Sequence, residues 1–178
     1  LQDYGWIKQP KLSMVYSPTQ MLSLYANWGR TFQILTGSRE PAYLTSGQRA
    51  FAPSINTGKE LGLKLKPTAQ SDMRIAVWQQ DATDEVANMP STGTTVGLGQ
   101  TRRKGIDFQL SGQVTDKLNL WFSHSLQEAK VVRAFTATTN ISLAGKEVIA
   151  TPRHITNIGA DYRVSDTWRF GMQGRAQG

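Results

Sequence analysis

The 178-residue sequence predicts an all-β fold, namely an antiparallel transmembrane β-barrel segment of about eight strands. Three observations support this prediction. Apolar and polar residues alternate with a period of two in eight segments, which is typical of a strand with two different faces. Most of these segments contain about ten residues, the length that crosses a bilayer at a tilt. Short turns alternate with long connections, as they do in outer-membrane barrels.

The eight segments are joined by two kinds of connection. In chain order, strands are predicted at 11–17, 21–31, 57–66, 72–82, 103–114, 118–128, 154–164 and 167–177. Short turns that contain Pro, Asp or Ser, which favour tight turns, lie at 18–20, 67–71, 115–117 and 165–167. Long stretches rich in Thr, Ser, Gly, Asn and Ala lie at 33–56, 83–102 and 129–153. We therefore expect short periplasmic turns at one end of the sheet and long extracellular loops at the other.

Each predicted strand has one apolar face and one polar face. Along the chain, the apolar face carries Leu12, Met14, Tyr16, Leu22, Leu24, Ala26, Trp28, Leu61, Leu63, Leu65, Met73, Ile75, Val77, Ile106, Phe108, Leu110, Leu118, Leu120, Phe122, Ile158, Ala160, Tyr162, Val164, Trp168, Phe170 and Met172. The polar face carries charged, polar or small residues at the intervening positions. A soluble β-sandwich shows the same alternation and remains an alternative. Aromatic residues near strand ends on the apolar face, such as Trp28 and Trp168, resemble an interfacial belt and favour the membrane barrel.

Composition and charge narrow the function classes. The chain has no Cys and so no disulfide framework or thiolate metal site. No run of 18 apolar residues is present, so no transmembrane helix is predicted. The net charge of +7 permits an anionic partner. However, the basic residues are spread over strands and loops rather than gathered in a recognition motif, so no nucleic-acid partner is predicted.

The sequence offers no arrangement that supports catalysis. His124 and His154 lie on different predicted strands without an adjacent acidic or serine partner. Asp84 and Glu85 lie together in a predicted loop, where we expect them to be solvated. We therefore predict no enzyme activity, no metal site and no cofactor.

Four blocks of sequence resemble the TonB-dependent outer-membrane receptors. PKLSMVYSPTQMLSLYANWGRTF resembles their strand–turn–strand unit, and NTGKELGLKLKP resembles a later strand, with Glu60 and Gly62 at matching positions. TRRKGIDFQLSGQVTDKLNLWFSHS and ATPRHITNIGADYRVSDTWRFG resemble two further hairpins of the family. In the last block, Pro152, His154, Asn157 and Tyr162 match. Each block is short and degenerate, but all four occur in the order found in the family.

The resemblance implies a barrel of about 22 strands, closed by an N-terminal plug domain. It also implies energy-coupled import of a scarce nutrient, most commonly a ferric siderophore, with the TonB–ExbB–ExbD complex acting on the plug. We expect residues 1–178 to be a later part of a single receptor β-barrel domain, with the plug domain and closing strands outside this chain. A passive porin or structural outer-membrane barrel is the alternative function.

Two groups of residues are candidates for contact with an anionic small molecule or metal chelate. The ligand-binding group is Arg39, Tyr43, Arg49, Phe51 and Arg103. The lumen-wall group is Trp78, Trp121, Arg163 and Arg175. Arginine pairs with carboxylates and aromatic rings offer stacking area. The alternative partners are lipopolysaccharide phosphates or water for the loop arginines, and the plug for the two tryptophans.

The basic run Arg102-Arg103-Lys104 lies at the start of the predicted strand 103–114, where an extracellular loop meets the bilayer surface. Charges at that depth cost little, unlike charges at the middle of the membrane. We expect this run to contact lipopolysaccharide phosphates and outer-membrane lipid. In the alternation of this strand, Arg103 falls on the polar face, which is predicted to line the lumen. Arg103 is therefore the member of the run predicted to meet cargo.

Overall fold

The computed structural model describes residues 6–33, 53–89, 94–133 and 142–178, and its regular structure is entirely β. The strands are β1 (Lys11–Tyr16), β2 (Leu22–Gln33), β3 (Ser54–Thr68), β4 (Ser71–Met89), β5 (Thr94–Thr115), β6 (Leu118–Arg133), β7 (His154–Arg163) and β8 (Arg169–Gln177). They form one sheet in chain order, with every neighbouring pair antiparallel. The predicted all-β antiparallel architecture is confirmed. Among the described residues, no helix has the length and apolarity needed to cross a bilayer.

The strand register aligns the two predicted faces across the sheet. On the apolar face, Leu24, Leu63, Ile75 and Phe108 are successive cross-strand partners. On the other face, Tyr25, Gly62, Ala76, Asp107 and Ser125 are successive partners. Because a shift of one residue would move every side chain to the opposite face, this register keeps each face uniform.

The apolar face is the exposed one. Met172 is 78% exposed, Leu12 68% and Trp168 65%, whereas Ala76 and Thr101 on the polar face are each 1% exposed. A soluble β-sandwich would bury its apolar face against a second sheet. Within the described ranges, a single sheet is present and nothing covers that face. The distribution is that of a wall that meets lipid on its apolar side.

A serine or threonine hydroxyl braces each short turn. Thr19 Oγ1 accepts hydrogen bonds from the backbone N–H groups of Met21 and Leu22. The hydroxyls of Thr115 and Ser165 accept bonds in the same way in their turns. In the turn at 67–71, Ser71 Oγ accepts from the backbone N–H of Thr68. Such side-chain bonds to nearby backbone groups are characteristic of Ser and Thr in turns.

The stretch 83–102, predicted as a long loop, is mostly strand, so that prediction was wrong in extent. The register of β4 and β5 shifts once before and once after the pair Glu85–Gly99. The two strands nevertheless continue to pair as far as Met89 opposite Thr94. Asp84 and Gly99 adopt positive φ angles of 52° and 64° at these irregularities. The irregularities break the period of two, which is why the sequence carries no strand signal there although the backbone ladder continues.

The stretch 129–153, also predicted as a loop, is partly paired with β6. Backbone bonds join Val131 N to Lys146 O at 2.8 Å and Val148 N to Ala129 O at 3.0 Å. A small apolar cluster forms beneath this segment and contains Leu98, Ala129, Val131 and Val148, with Leu143 packed against it. The described part of the loop end is therefore a folded cap on β5 and β6.

Candidate functional site

Three aromatic side chains on the polar face lie over glycines of the neighbouring strand. They form direct register pairs: Tyr25 with Gly62, Trp78 with Gly105, and Trp121 with Gly159. A Cβ atom built on Gly62 would lie 2.4 Å from Tyr25 Cζ. Each ring therefore occupies the space that a side chain on its partner would need. Cross-strand aromatic–glycine pairs of this kind fix register and shield a bare backbone.

The pairs show how the two predicted lumen-wall tryptophans are placed. A Cβ on Gly105 would lie 2.7 Å from Trp78 Cζ2, and one on Gly159 would lie 2.3 Å from Trp121 Cε2. Both rings therefore lie against the adjacent strand. Trp78 and Trp121 stay predictions as contacts for plug or cargo, and the surface they would offer is the ring face turned away from the glycine.

A polar network surrounds the first of these pairs. Arg74 donates from Nε to Tyr25 Oη at 2.7 Å and from a terminal nitrogen to Glu60 Oε1 at 2.6 Å. The Arg74 guanidinium and the Lys64 ammonium lie 5.5 and 5.7 Å from the centroid of the Tyr25 ring, within the range of cation–π attraction. One tyrosine thus joins three strands, because its partners lie on β3 and β4.

Removing the Tyr25 hydroxyl should weaken this network measurably. We expect Tyr25→Phe to lower the free energy of unfolding of the full-length protein by about 1–2 kcal/mol, because Arg74 loses a part-buried acceptor. Tyr162→Phe is the matched control, since Tyr162 lies on the apolar face and is 45% exposed. Urea titration in lipid vesicles would measure both variants, and equal effects would contradict the role of the network.

A second polar cluster lies where β4 and β5 leave the main sheet, beyond the apolar runs of both strands. Arg103 donates to both oxygens of Glu85, at 2.5 and 2.9 Å. Thr101 donates its hydroxyl proton to Glu85 as well. The two charged side chains are 21% and 20% exposed. Burial alone would raise the pKa of Glu85, but the hydrogen bonds from Arg103 and Thr101 hold that pKa below its usual range.

The expected solvated carboxylate is therefore a structural one, and the prediction for Glu85 was wrong. Glu85 was expected in an open loop, but it lies on β4, opposite Gly99 of β5, at a bulge that turns its side chain toward Arg103. We call the Glu85–Arg103–Thr101 group the β4–β5 clip. The clip engages the guanidinium of Arg103, the residue predicted to meet cargo.

The predicted site residues are not all brought together. Arg39, Tyr43, Arg49 and Phe51 lie outside the described residues. Arg163 lies at the short-turn end, where it donates to the Asp116 carbonyl at 3.0 Å. Arg175 is exposed on β8 and donates to Gln177. The contact of each residue with cargo stays a prediction.

A shallow groove of about 490 Å³ crosses the polar face of β1 to β5. Its lining includes Asn27, Asn56, Glu60, Trp78, Gln80 and Asp107. Gln80 donates to Asn56 at 3.0 Å, so part of the groove floor is already cross-linked. Reasoning from sequence did not single out Glu60, Asn56 or Asp107 as members of one surface. The alternation of the predicted strands places Glu60 and Asp107 on the polar face, whereas Asn56 was expected in the loop 33–56 and lies on β3 instead. The proximity of the three residues depends on strand order.

The comparison with known families assigns this β-sheet to a protein family. The sequence profile described as "TonB dependent receptor-like, beta-barrel" matches residues 2–177. The chain belongs to the TonB-dependent receptor family. Receptors of this family are outer-membrane barrels and non-enzymatic transporters, so the predicted outer-membrane location and the prediction of no enzyme are confirmed, and a soluble β-sandwich is rejected.

Two curated relatives come from Pseudomonas. The metal-pseudopaline receptor CntO of Pseudomonas aeruginosa is 26% identical over 169 residues, which cover 94% of this chain and 22% of that receptor. The ferric-pyoverdine M114 receptor PbuA of Pseudomonas sp. strain M114 is 23% identical over 160 residues, covering 88% of this chain and 18% of that receptor. This chain therefore corresponds to about a fifth of each receptor.

Solved receptors share the fold. BauA, the ferric preacinetobactin receptor of Acinetobacter baumannii, is 19% identical and superposes with a TM-score of 0.68, covering 95% of this chain and 25% of that receptor. Fiu, the ferric-catecholate import receptor of E. coli K12, is 20% identical with a TM-score of 0.65, covering 93% of this chain and 24% of that receptor. At such identities the likeness establishes the fold, here part of a receptor barrel.

Proposed function

We propose that this chain is a wall segment of a receptor that imports a metal chelate, such as a ferric siderophore or another small anionic nutrient. The match to the receptor family over residues 2–177 carries the proposal. Two curated relatives named for metal or ferric chelates support the class of cargo. In this proposal the segment belongs to a single barrel domain, and the plug and closing strands belong to other segments of the full-length protein.

Energy coupling is the second part of the proposal. The outer membrane has no nucleotide pool, so concentrative uptake needs force from the inner membrane. We propose that the TonB–ExbB–ExbD complex supplies that force through the plug. The described wall suits a passive role in this cycle, because its polar face is cross-linked by the Tyr25–Arg74–Glu60 network and by the β4–β5 clip.

The basic residues of the wall support an anionic cargo. The formal net charge of the chain is +7, and a cleft with one sign of charge concentrates ligands of the opposite sign. Arg163 and Arg175 lie on polar-face positions of β7 and β8, away from the two neutralised arginines Arg74 and Arg103. We propose that Arg163 and Arg175 attract cargo or pair with plug carboxylates, with Arg39, Tyr43, Arg49 and Phe51 as proposed loop contacts.

Uptake by cells tests this function directly. The test compares a panel of radiolabelled compounds, namely ferric siderophores, their metal-free analogues and other cofactors. A strain without the full-length gene should lose accumulation of at least one metal chelate in this panel. Re-expression should restore accumulation in cells that have TonB and fail to restore it in cells that lack TonB. Outer-membrane fractionation and immunoblotting would control for protein level. Uptake that persists without TonB would overturn the proposal and favour the passive porin.

A further inference from the structure

A basic cavity lies on the apolar face, between β5 and β6 at their loop ends. Its volume is about 300 Å³. It is lined by Arg102, Lys104, Glu128, Lys130, Val131, Val132 and Gly145. The lining thus holds three cations and one carboxylate. Asp81 pairs with Arg102 just outside the lining, so the cluster keeps a formal excess of one positive charge. The cavity is on the side of the sheet opposite to Arg103 and the lumen wall.

Carboxylates hold the three cations in place. Lys104 Nζ lies 3.1 Å from Glu128 Oε2, and Lys130 pairs with the other oxygen of the same carboxylate. Arg102 donates from Nε to Asp81 at 2.6 Å. The arginine and lysine side chains nevertheless remain 45–60% exposed, so an external anion can reach them.

The cavity begins where the apolar surface of the sheet ends. Val77, Ile106 and Leu126 are successive register partners and are 47%, 49% and 44% exposed. The next row of the same face toward the loops is Gln79, Lys104 and Glu128, and the row after it is Asp81, Arg102 and Lys130. The outward face therefore changes from apolar to charged between two adjacent rows.

An apolar groove joins the basic cavity to the lipid-facing surface. The groove has a volume of about 1050 Å³, and its lining includes Leu61, Val77, Ile106 and Leu126. Lys104 and Glu128 line both the groove and the cavity. The combined surface thus offers hydrocarbon contacts next to a cluster of cations. This is the complement of a molecule that carries both acyl chains and a phosphate group.

We propose that Arg102, Lys104 and Lys130 bind a phosphate group of lipopolysaccharide, while its acyl chains lie against Val77, Ile106 and Leu126. The outer leaflet supplies this occupant, because the chain is part of an outer-membrane protein with its apolar face turned to lipid. The cations contribute charge-assisted hydrogen bonds to the phosphate oxygens. Glu128 pairs with both lysines and so reduces their mutual repulsion. The site is independent of cargo, plug and energy coupling.

Binding of defined lipids to the purified full-length receptor tests the site. The test variant is Lys104→Gln/Lys130→Gln. The control is Lys66→Gln/Lys117→Gln, which removes the same charge from the short-turn end of the sheet. Native mass spectrometry would measure binding of intact lipopolysaccharide, of dephosphorylated lipopolysaccharide with the same acyl chains, and of inorganic phosphate.

We expect the affinity of the test variant for intact lipopolysaccharide to fall about 25-fold, since each cation near an anionic lipid surface contributes roughly a factor of five. The control should bind like the wild type. The wild type should bind the dephosphorylated lipid as weakly as the test variant binds the intact one. Lys104→Arg/Lys130→Arg should restore binding, which separates lost charge from lost folding.

Two results would overturn the proposal. Equal affinity of the test and control variants for intact lipopolysaccharide would show that the cavity does not bind the lipid. Inorganic phosphate that binds the wild type as tightly as the lipid would show a site for free phosphate. Failure of the uptake experiment would leave these measurements unaffected, because they use no cargo.

Discussion

Replacing Gly105 with alanine is expected to lower the free energy of unfolding of the full-length barrel by about 1–3 kcal/mol, the usual range for overpacking. A Cβ at this position would lie 2.7 Å from the backbone oxygen of Leu126 and 2.7 Å from Trp78 Cζ2. The ring of Trp78 could rotate away, but the Leu126 oxygen belongs to β6, which pairs with β5 along its length. The added methyl group therefore forces two strands apart or displaces a large aromatic ring.

Gly58→Ala is the matched control for this substitution. Gly58 lies on β3 with the same polar-face parity, and a Cβ there would meet nothing within 4 Å. Urea titration in lipid vesicles, followed by the heat-sensitive migration of the folded barrel on gels, would compare the two. Equal midpoints for the two alanine variants would contradict the packing argument.

The double variant Gly105→Ala/Trp78→Leu separates the two contacts. Shortening Trp78 removes the ring contact and leaves the contact with the Leu126 oxygen. Among the described residues, the indole N–H of Trp78 is buried without a hydrogen-bond partner, so its loss removes no protein hydrogen bond. We expect the cost of Gly105→Ala to be smaller in the Trp78→Leu background but not zero.

The sequence was sufficient to predict the sheet and the side of each residue within the eight predicted strands. Parity along one strand is a local property, so Leu61 and Gly62 could be assigned to opposite faces without knowledge of their neighbours. The exposed apolar face then follows, because Leu61 is 60% exposed whereas Tyr25, the partner of Gly62, is 9% exposed. Turn positions were equally local, since Pro, Asp and Ser mark them directly.

The cross-strand partners could not be predicted in the same way. Tyr25 and Arg74 are 49 residues apart, and their hydrogen bond depends on β2, β3 and β4 lying side by side in one register. The sequence identified Trp78 as an unusual wall residue, but its partner Gly105 became visible only when β4 was paired with β5. Glycine on a strand signals close approach of a neighbour without saying which neighbour approaches.

The greatest difference from prediction lies beyond Ala82. The register shifts near Glu85 remove the alternation on which strand assignment depends, so a polar stretch with Asp84 and Gly99 resembles a loop. The backbone ladder continues because hydrogen bonds between β4 and β5 need no apolar face. The same shift brings Glu85 to Arg103, and thereby creates a contact that no spacing in the sequence indicates.

Glu85→Gln is expected to weaken the β4–β5 clip by about 1.5–3 kcal/mol at neutral pH, the usual range for hydrogen bonds to charged groups. The variant leaves Arg103 without its anionic partner in a site where the guanidinium is 21% exposed. The loss should be local, because the clip lies at the loop ends of β4 and β5. Hydrogen exchange of backbone amides around Thr101, measured by mass spectrometry on the full-length protein, would report it.

The pH dependence of the clip follows from the lowered pKa of Glu85. A carboxyl group with a lowered folded-state pKa stabilises fully above its unfolded pKa, which is about 4.3 for glutamate, and the stabilisation is lost as pH falls through the folded-state value. The wild type should therefore exchange more slowly than Glu85→Gln at pH 7, and the difference should vanish in strong acid. Rates at each pH are compared after correction for intrinsic exchange.

A double-mutant cycle with Arg103→Gln assigns the effect to the pair. If the clip acts as one unit, the second substitution should add little to Glu85→Gln at pH 7, because either change removes both charge-assisted hydrogen bonds. The Arg102→Gln variant is the control, since Arg102 lies next in sequence but pairs with Asp81 on the opposite face. Additive effects of Glu85→Gln and Arg103→Gln would contradict the clip. Such a result would also mean that the Arg103 guanidinium is not paired with Glu85 and is available to contact cargo.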